Sequence, residues 1–69
     1  MVEVFKTNVQ YRALAEQLAS ILRDRFAFSR ISFDLEDCDK ILRVEGKQIC
    51  VENVIEMLST YGLKCEVLT

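Results

Sequence analysis

A chain of 69 residues has room for one domain and excludes a second, and at this size only about 60% of the unfolded surface is buried on folding. With 51% hydrophobic and 29% charged residues, the composition excludes the polar, highly charged mix of a disordered chain. Nine basic and eleven acidic side chains leave a net charge of −2, which gives little long-range attraction to nucleic acid or anionic lipid, so neither is expected as a partner.

There is no proline, and the only glycines are Gly46 and Gly62, so a single unit over residues 1–69 without linkers is expected. The opening residues Met1-Val2-Glu3-Val4 lack the basic and apolar regions of a signal peptide, and no run approaches the ~20 apolar residues of a membrane span. Three cysteines without paired spacing suit a reducing compartment. A cytoplasmic location follows as the expectation.

In chain order, Val2 to Thr7 mixes β-branched, aromatic and charged residues with nearly period-two spacing and predicts a strand. Its facing stays open, because Phe5 with Thr7 and Val2 with Val4 both offer a core side chain. From Gln10 onward Leu14, Leu18, Ile21, Leu22 and Phe26 recur every three or four residues, the period of an amphipathic helix. Thr7 or Asn8 is the expected cap, and Arg12 and Glu16 are spaced to meet on the outer face. Ile31, Phe33 and Leu35 alternate with Ser32, Asp34 and Glu36, predicting a strand with one buried face. Asp37 to Lys40 reads as a turn, and Ile41 to Glu45 as the returning strand with Leu42 and Val44 inward. Val51, Val54, Ile55, Leu58 and Tyr61 predict a second helix, with Gly62 as its left-handed terminator. Cys65 to Leu68 closes the chain as a short strand.

The order strand, helix, strand, strand, helix, strand, with short right-handed connections, leads to an α+β, ferredoxin-like βαββαβ sandwich. Its antiparallel sheet is expected in the order 4-1-3-2, with both helices on one face.

Phe33-Asp34-Leu35-Glu36, Ile41-Leu42-Arg43-Val44-Glu45-Gly46, Val54-Ile55-Glu56-Met57-Leu58, Tyr61-Gly62-Leu63 and Cys65-Glu66-Val67-Leu68 together resemble the heavy-metal-associated, copper-chaperone-like domain family. The resemblance extends over essentially the whole chain. It implies the βαββαβ scaffold and, in the family, a Met-x-Cys-x-x-Cys loop before the first helix whose thiolates bind a soft cation. In the register that puts Ala15, Leu18 and Leu22 on the family's buried helix positions, Val9 falls on the methionine, and Tyr11 and Leu14 fall on the two cysteines. Leu63 takes the position where the family often places an aromatic or basic residue. A phenol and an isobutyl group cannot replace thiolates, so the resemblance carries over the scaffold, and no metal or cofactor is expected at this loop.

The cysteines that are present predict no intramolecular site. Cys38 lies in the hairpin turn and Cys65 begins the last strand; three strand spacings of about 4.8 Å separate the two edges by about 14 Å. That is beyond the ~7 Å reach of a disulfide. A metal held by Cys38 and Cys65 then requires a dimer, and this is the alternative reading. Cys50, where a helix cap belongs, is either a small filler or a thiol activated by the helix field. Cys38, between Asp37 and Asp39, reads as an unreactive turn residue. The acidic run Asp34, Glu36, Asp37 and Asp39 could attract a hard cation but reads as a solvated face that also discourages pairing of the second strand's edge with another chain. Without histidine, an activated nucleophile or a phosphate-cradling loop, no catalytic set assembles, and an enzyme is not expected. RNA-recognition domains share the element order but need aromatics on the open face of the central strands; Ile41, Arg43 and Glu45 stand there on strand three. Apolar groups on that open face, Ile41 with Val2 and Val4 or Phe5, offer a further surface for a partner or a second copy. The functional expectation is a non-catalytic interaction module, with Asn8, Gln10, Tyr11 and Leu63 as its loop-end surface.

Overall fold

A computed structural model describes residues 1–26 and 30–68. The elements run β1 (Val2–Thr7), α1 (Arg12–Arg25), β2 (Arg30–Asp34), β3 (Ile41–Glu45), α2 (Val51–Thr60) and β4 (Cys65–Val67). All strand pairings are antiparallel. The sheet order is β2-β3-β1-β4, which counted from the other edge is β4-β1-β3-β2. This small α+β arrangement, two helices with a four-stranded antiparallel sheet, is compatible with a ferredoxin-like fold.

The pairing register settles the facing that composition leaves open in β1. Phe5 lies opposite Leu42 on β3 and Val67 on β4, and Phe5 and Leu42 are fully buried, whereas Val2 is 46% exposed. Phe5, Thr7, Ile31, Phe33, Leu42 and Val44 therefore form the inner face of the sheet. They join Ala15, Leu18, Ala19 and Leu22 of α1 and Val54, Met57 and Leu58 of α2 in one core, so both helices cover the same face. Removing any of the larger members costs transfer energy and leaves a cavity. The open face carries Val4 and Arg43 at its centre, flanked by Ser32 and Leu68.

The helices begin and end by different means. α1 starts from Tyr11 in extended conformation with no side-chain cap, so neither Thr7 nor Asn8 caps it as the sequence suggests; both lie too far upstream and are used elsewhere. Arg23 and Arg25 sit in its last turn, where cations complement the helix dipole. The Arg12 guanidinium donates to the carbonyl of Phe33 at 3.3 Å instead of closing a pair with Glu16. α2 ends in a Schellman arrangement: Gly62 N–H donates to Ser59 and Leu63 N–H to Leu58, with Gly62 at φ +77°. Tyr61, expected on the apolar stripe, is the C-cap residue and is exposed, because the chain leaves the helical path there. Leu35 lies beyond the end of β2 and is half-buried. Among the described residues, no helix is long and apolar enough to cross a membrane.

Candidate functional site at the loop end of the sheet

Three connections meet at one end of the sheet: the β1–α1 loop, the β2–β3 turn and the α2–β4 loop. Their junction is Thr7, only 7% exposed. Its N–H donates to Asp39, its hydroxyl donates to Lys40, and the same hydroxyl accepts from the N–H of Val9. Both capacities of the hydroxyl are thus used, as a buried polar group requires. Val9 follows, fully buried, and pins the loop into the core. On the far side, the Asn8 carboxamide oxygen accepts from the N–H of Lys64 at 2.9 Å, tying the first loop to the last.

The β2–β3 turn is closed by its own side chains. Asp34 accepts from Glu36 N–H, Asp37 accepts from Asp39 N–H, and Lys40 Nζ donates to the Leu35 carbonyl. Such Asx turns are what aspartates supply in place of glycine. One strained residue remains, Lys40 at φ +50°, in the left-handed region that costs a non-glycine residue about 1 kcal/mol or more. Lys6 and Asp39 form an ion pair at 3.8 Å between partly exposed side chains, a weak contribution.

On this hydrogen-bonded base, Asn8, Gln10 and Tyr11 are exposed, Tyr11 by 70%. Leu63 is half-buried and packed against the core, so it borders the surface instead of projecting from it. Leu14 is also half-buried against the core. Tyr11 is therefore an exposed phenol, and Leu14 a packing aliphatic group.

All three cysteines are free thiols; Cys38 and Cys50 are exposed and Cys65 is half-buried. Burial, with a smaller effect of neighbouring Glu66, pushes the Cys65 thiol up to about 12, far from the ionised form that binds metal. Cys50 stands at the N-cap of α2 with no side-chain cap bond, and none of the clusters of possible ligands among the described residues includes it. Cys38 does have company: its sulfur and the carboxylates of Asp37 and Asp39 lie within 4.8 Å of one another. Cys65 is not part of that group. From the sequence these carboxylates read as a solvated face in preference to a hard-cation site, and without Cys38 among them; the turn, by folding residues 37 to 39 tightly, is what brings them near the thiol.

The chain matches no protein-family model, no curated protein and no solved structure.

Proposed function

We propose that this chain is a small non-catalytic interaction module on a scaffold like that of the heavy-metal-associated domain, and that it docks a protein partner through Asn8, Gln10, Tyr11 and Leu63. The observation that carries the reading is Tyr11: a large amphipathic ring, 70% exposed, on a loop held at both sides by Thr7 and Asn8. Aromatic anchors on pre-ordered loops contribute strongly to interfaces because little conformational entropy is lost on docking. The buried Val9 and the absence of sulfur at Tyr11 and Leu14 support a scaffold retained without its usual metal loop.

The test is site-specific photo-crosslinking in the native cellular background. A photoreactive residue in place of Tyr11 should capture one defined partner, and the same residue in place of exposed Glu56 on α2 should not. The captured partner should then shift the NMR signals of residues 8–11 and 63 in the purified protein, and Tyr11→Ala should abolish those shifts. Equal capture from both positions, or shifts centred elsewhere, would overturn the reading.

A second reading rests on the Asp37, Cys38 and Asp39 cluster: metal binding or trafficking through Cys38, with Cys65 as a ligand from a second copy. Titration with Cu(I) or Zn²⁺ discriminates. Shifts confined to residues 37–39 and 65 at micromolar or tighter affinity would favour metal handling, and an unresponsive spectrum would remove it.

A further inference from the structure

The hydrogen-bonding phase of the sheet identifies which backbone groups face solvent along β2. Met1 and Gly46 exchange both backbone hydrogen bonds, N–H to carbonyl in each direction, at 2.9 and 3.0 Å. In an antiparallel ladder such closely bonded pairs alternate with non-bonded ones, so Val44 and Leu42 also bond to β1. Glu45, Arg43 and Ile41 then turn their N–H and carbonyl groups towards β2. Their partners there are Arg30, Ser32 and Asp34, which leaves the N–H and carbonyl groups of Ile31 and Phe33 pointing away from the sheet. The bond from Arg12 to the Phe33 carbonyl agrees with this phase. Among the described residues no strand pairs with that edge.

The usual protections of an edge are weak here. β2 has no proline or lysine. The acids Glu36, Asp37 and Asp39, expected to discourage pairing, lie beyond the end of β2, leaving Asp34 as the strand's one acidic residue. α1 covers the edge only in part: Arg12 reaches the Phe33 carbonyl, while Ala15 and Ala19 are small and leave a groove of about 230 Å³, bordered by Arg12, Glu16 and Arg23, between them and Ile31, Ser32 and Phe33.

The geometry points to a symmetric dimer in which β2 pairs antiparallel with β2 of a second copy, with Ser32 on the two-fold axis. The strand Arg30-Ile31-Ser32-Phe33-Asp34 is complementary to its own reverse. Centred on Ser32, Arg30 lies opposite the second copy's Asp34, and its Asp34 opposite the second copy's Arg30, both ion pairs on the open face. Ile31 faces the second copy's Phe33, extending the buried side of both sheets. The register also suits the backbone: Ile31 and the second copy's Phe33 are both outward-phased residues, so they exchange two hydrogen bonds, the Phe33 carbonyl using its second lone pair beside the bond from Arg12, and symmetry supplies two more. A register slipped by one residue would set bonded groups against unbonded ones, and one slipped by two would break both Arg30–Asp34 pairs by setting Ser32 against Arg30 or Asp34. The product is one continuous eight-stranded sheet with its two loop ends pointing in opposite directions. This inference is independent of the loop-end reading, because Tyr11 takes no part in the pairing.

Sedimentation equilibrium of the full chain tests it, with Cys38 and Cys50 replaced by serine to remove exposed thiols. Reversible dimerisation is expected within the range from tens to hundreds of micromolar. Arg30→Asp and Asp34→Arg should each weaken the dimer about tenfold, since each places two like-charged pairs across the axis, and the double exchange R30D/D34R should restore it. Ser32→Cys in the same background should form an intermolecular disulfide under mild oxidation, because non-bonded antiparallel pairs bring Cα atoms to about 4.5 Å. Circular dichroism checks that each variant keeps its fold. A monomer throughout that range, or a dimer that is insensitive to both single exchanges and that the Ser32→Cys variant fails to cross-link, would overturn the inference.

Discussion

The Thr7 hydroxyl donates to the backbone carbonyl of Lys40 at 2.6 Å, joining positions 33 residues apart in the chain. The same oxygen accepts from the N–H of Val9 at 3.2 Å, so one small side chain couples the first strand, the first loop and the strained end of the β2–β3 turn. Thr7→Val keeps the shape of the side chain and leaves the Val9 donor and the Lys40 acceptor without this partner. A loss of about 1–3 kcal/mol of stability is expected by urea denaturation. Thr7→Ser, which preserves the hydroxyl, should lose less than half as much, and equal losses for the two variants would show that the hydroxyl is not the cause.

Gly62 has φ +77° and an added Cβ would meet nothing within 4 Å. The cost of Gly62→Ala is therefore conformational and not steric: about 1 kcal/mol from placing an L side chain in the left-handed region. Gly62→Asn should recover part of it, since asparagine tolerates that region better. Thermal melts of the two variants provide the comparison, and an alanine variant as stable as the parent would refute the account.

Cys65 has its thiol raised from an ordinary value of 9.0 to about 12 by burial and by Glu66. At neutral pH its thiolate fraction should be at least a hundredfold below that of an unperturbed thiol, so alkylation of the native protein should modify Cys38 and Cys50 first. The sign of the pH dependence follows. The folded state holds this proton more tightly than the unfolded state, so the neutral thiol's contribution is complete below pH 9 and is lost as pH rises from about 9 towards about 12. Cys65→Ser should flatten that alkaline part of the stability profile.

Leu42 is fully buried and stands between Phe5 and Phe33 in the sheet register. Leu42→Ala should cost about 2–5 kcal/mol. At about 0.05–0.15 kcal/mol per residue, that is a large share of the total stability of so short a chain. Tyr11→Ala, at an exposed position, should change stability by less than about 0.5 kcal/mol. Urea midpoints in that order are expected, and a Tyr11 variant as unstable as the Leu42 variant would contradict the description of the loop end.

Much of the fold was legible in the residues because each element carries its own periodicity. The alternation of Ile31 and Phe33, the return of Leu42 and Val44, the helical spacing of Leu18, Leu22, Val54 and Leu58, and the glycine after α2 are local patterns, and the strands, helices and terminator stand where those patterns put them. The start of α1 was not legible, because Thr7 and Asn8 are good capping residues whose side chains instead bond Lys40 and Lys64, partners far away in sequence. The candidate site was legible only as residue types. Tyr11 could be aligned, but its exposure depends on how Val9 and Asn8 anchor the loop.

The sequence by itself thus determined the element order, the inner face of β2 and β3 and the termination of α2, since these follow from the spacing of apolar side chains and from backbone preferences within a few residues. Only the tertiary structure decided which face of β1 is buried, which thiol is shielded, that Cys38 sits among carboxylates, and which backbone groups line the free edge of β2. Each of those depends on pairing register and on contacts between distant segments, and a side chain's local pattern carries no record of the strand that will lie beside it.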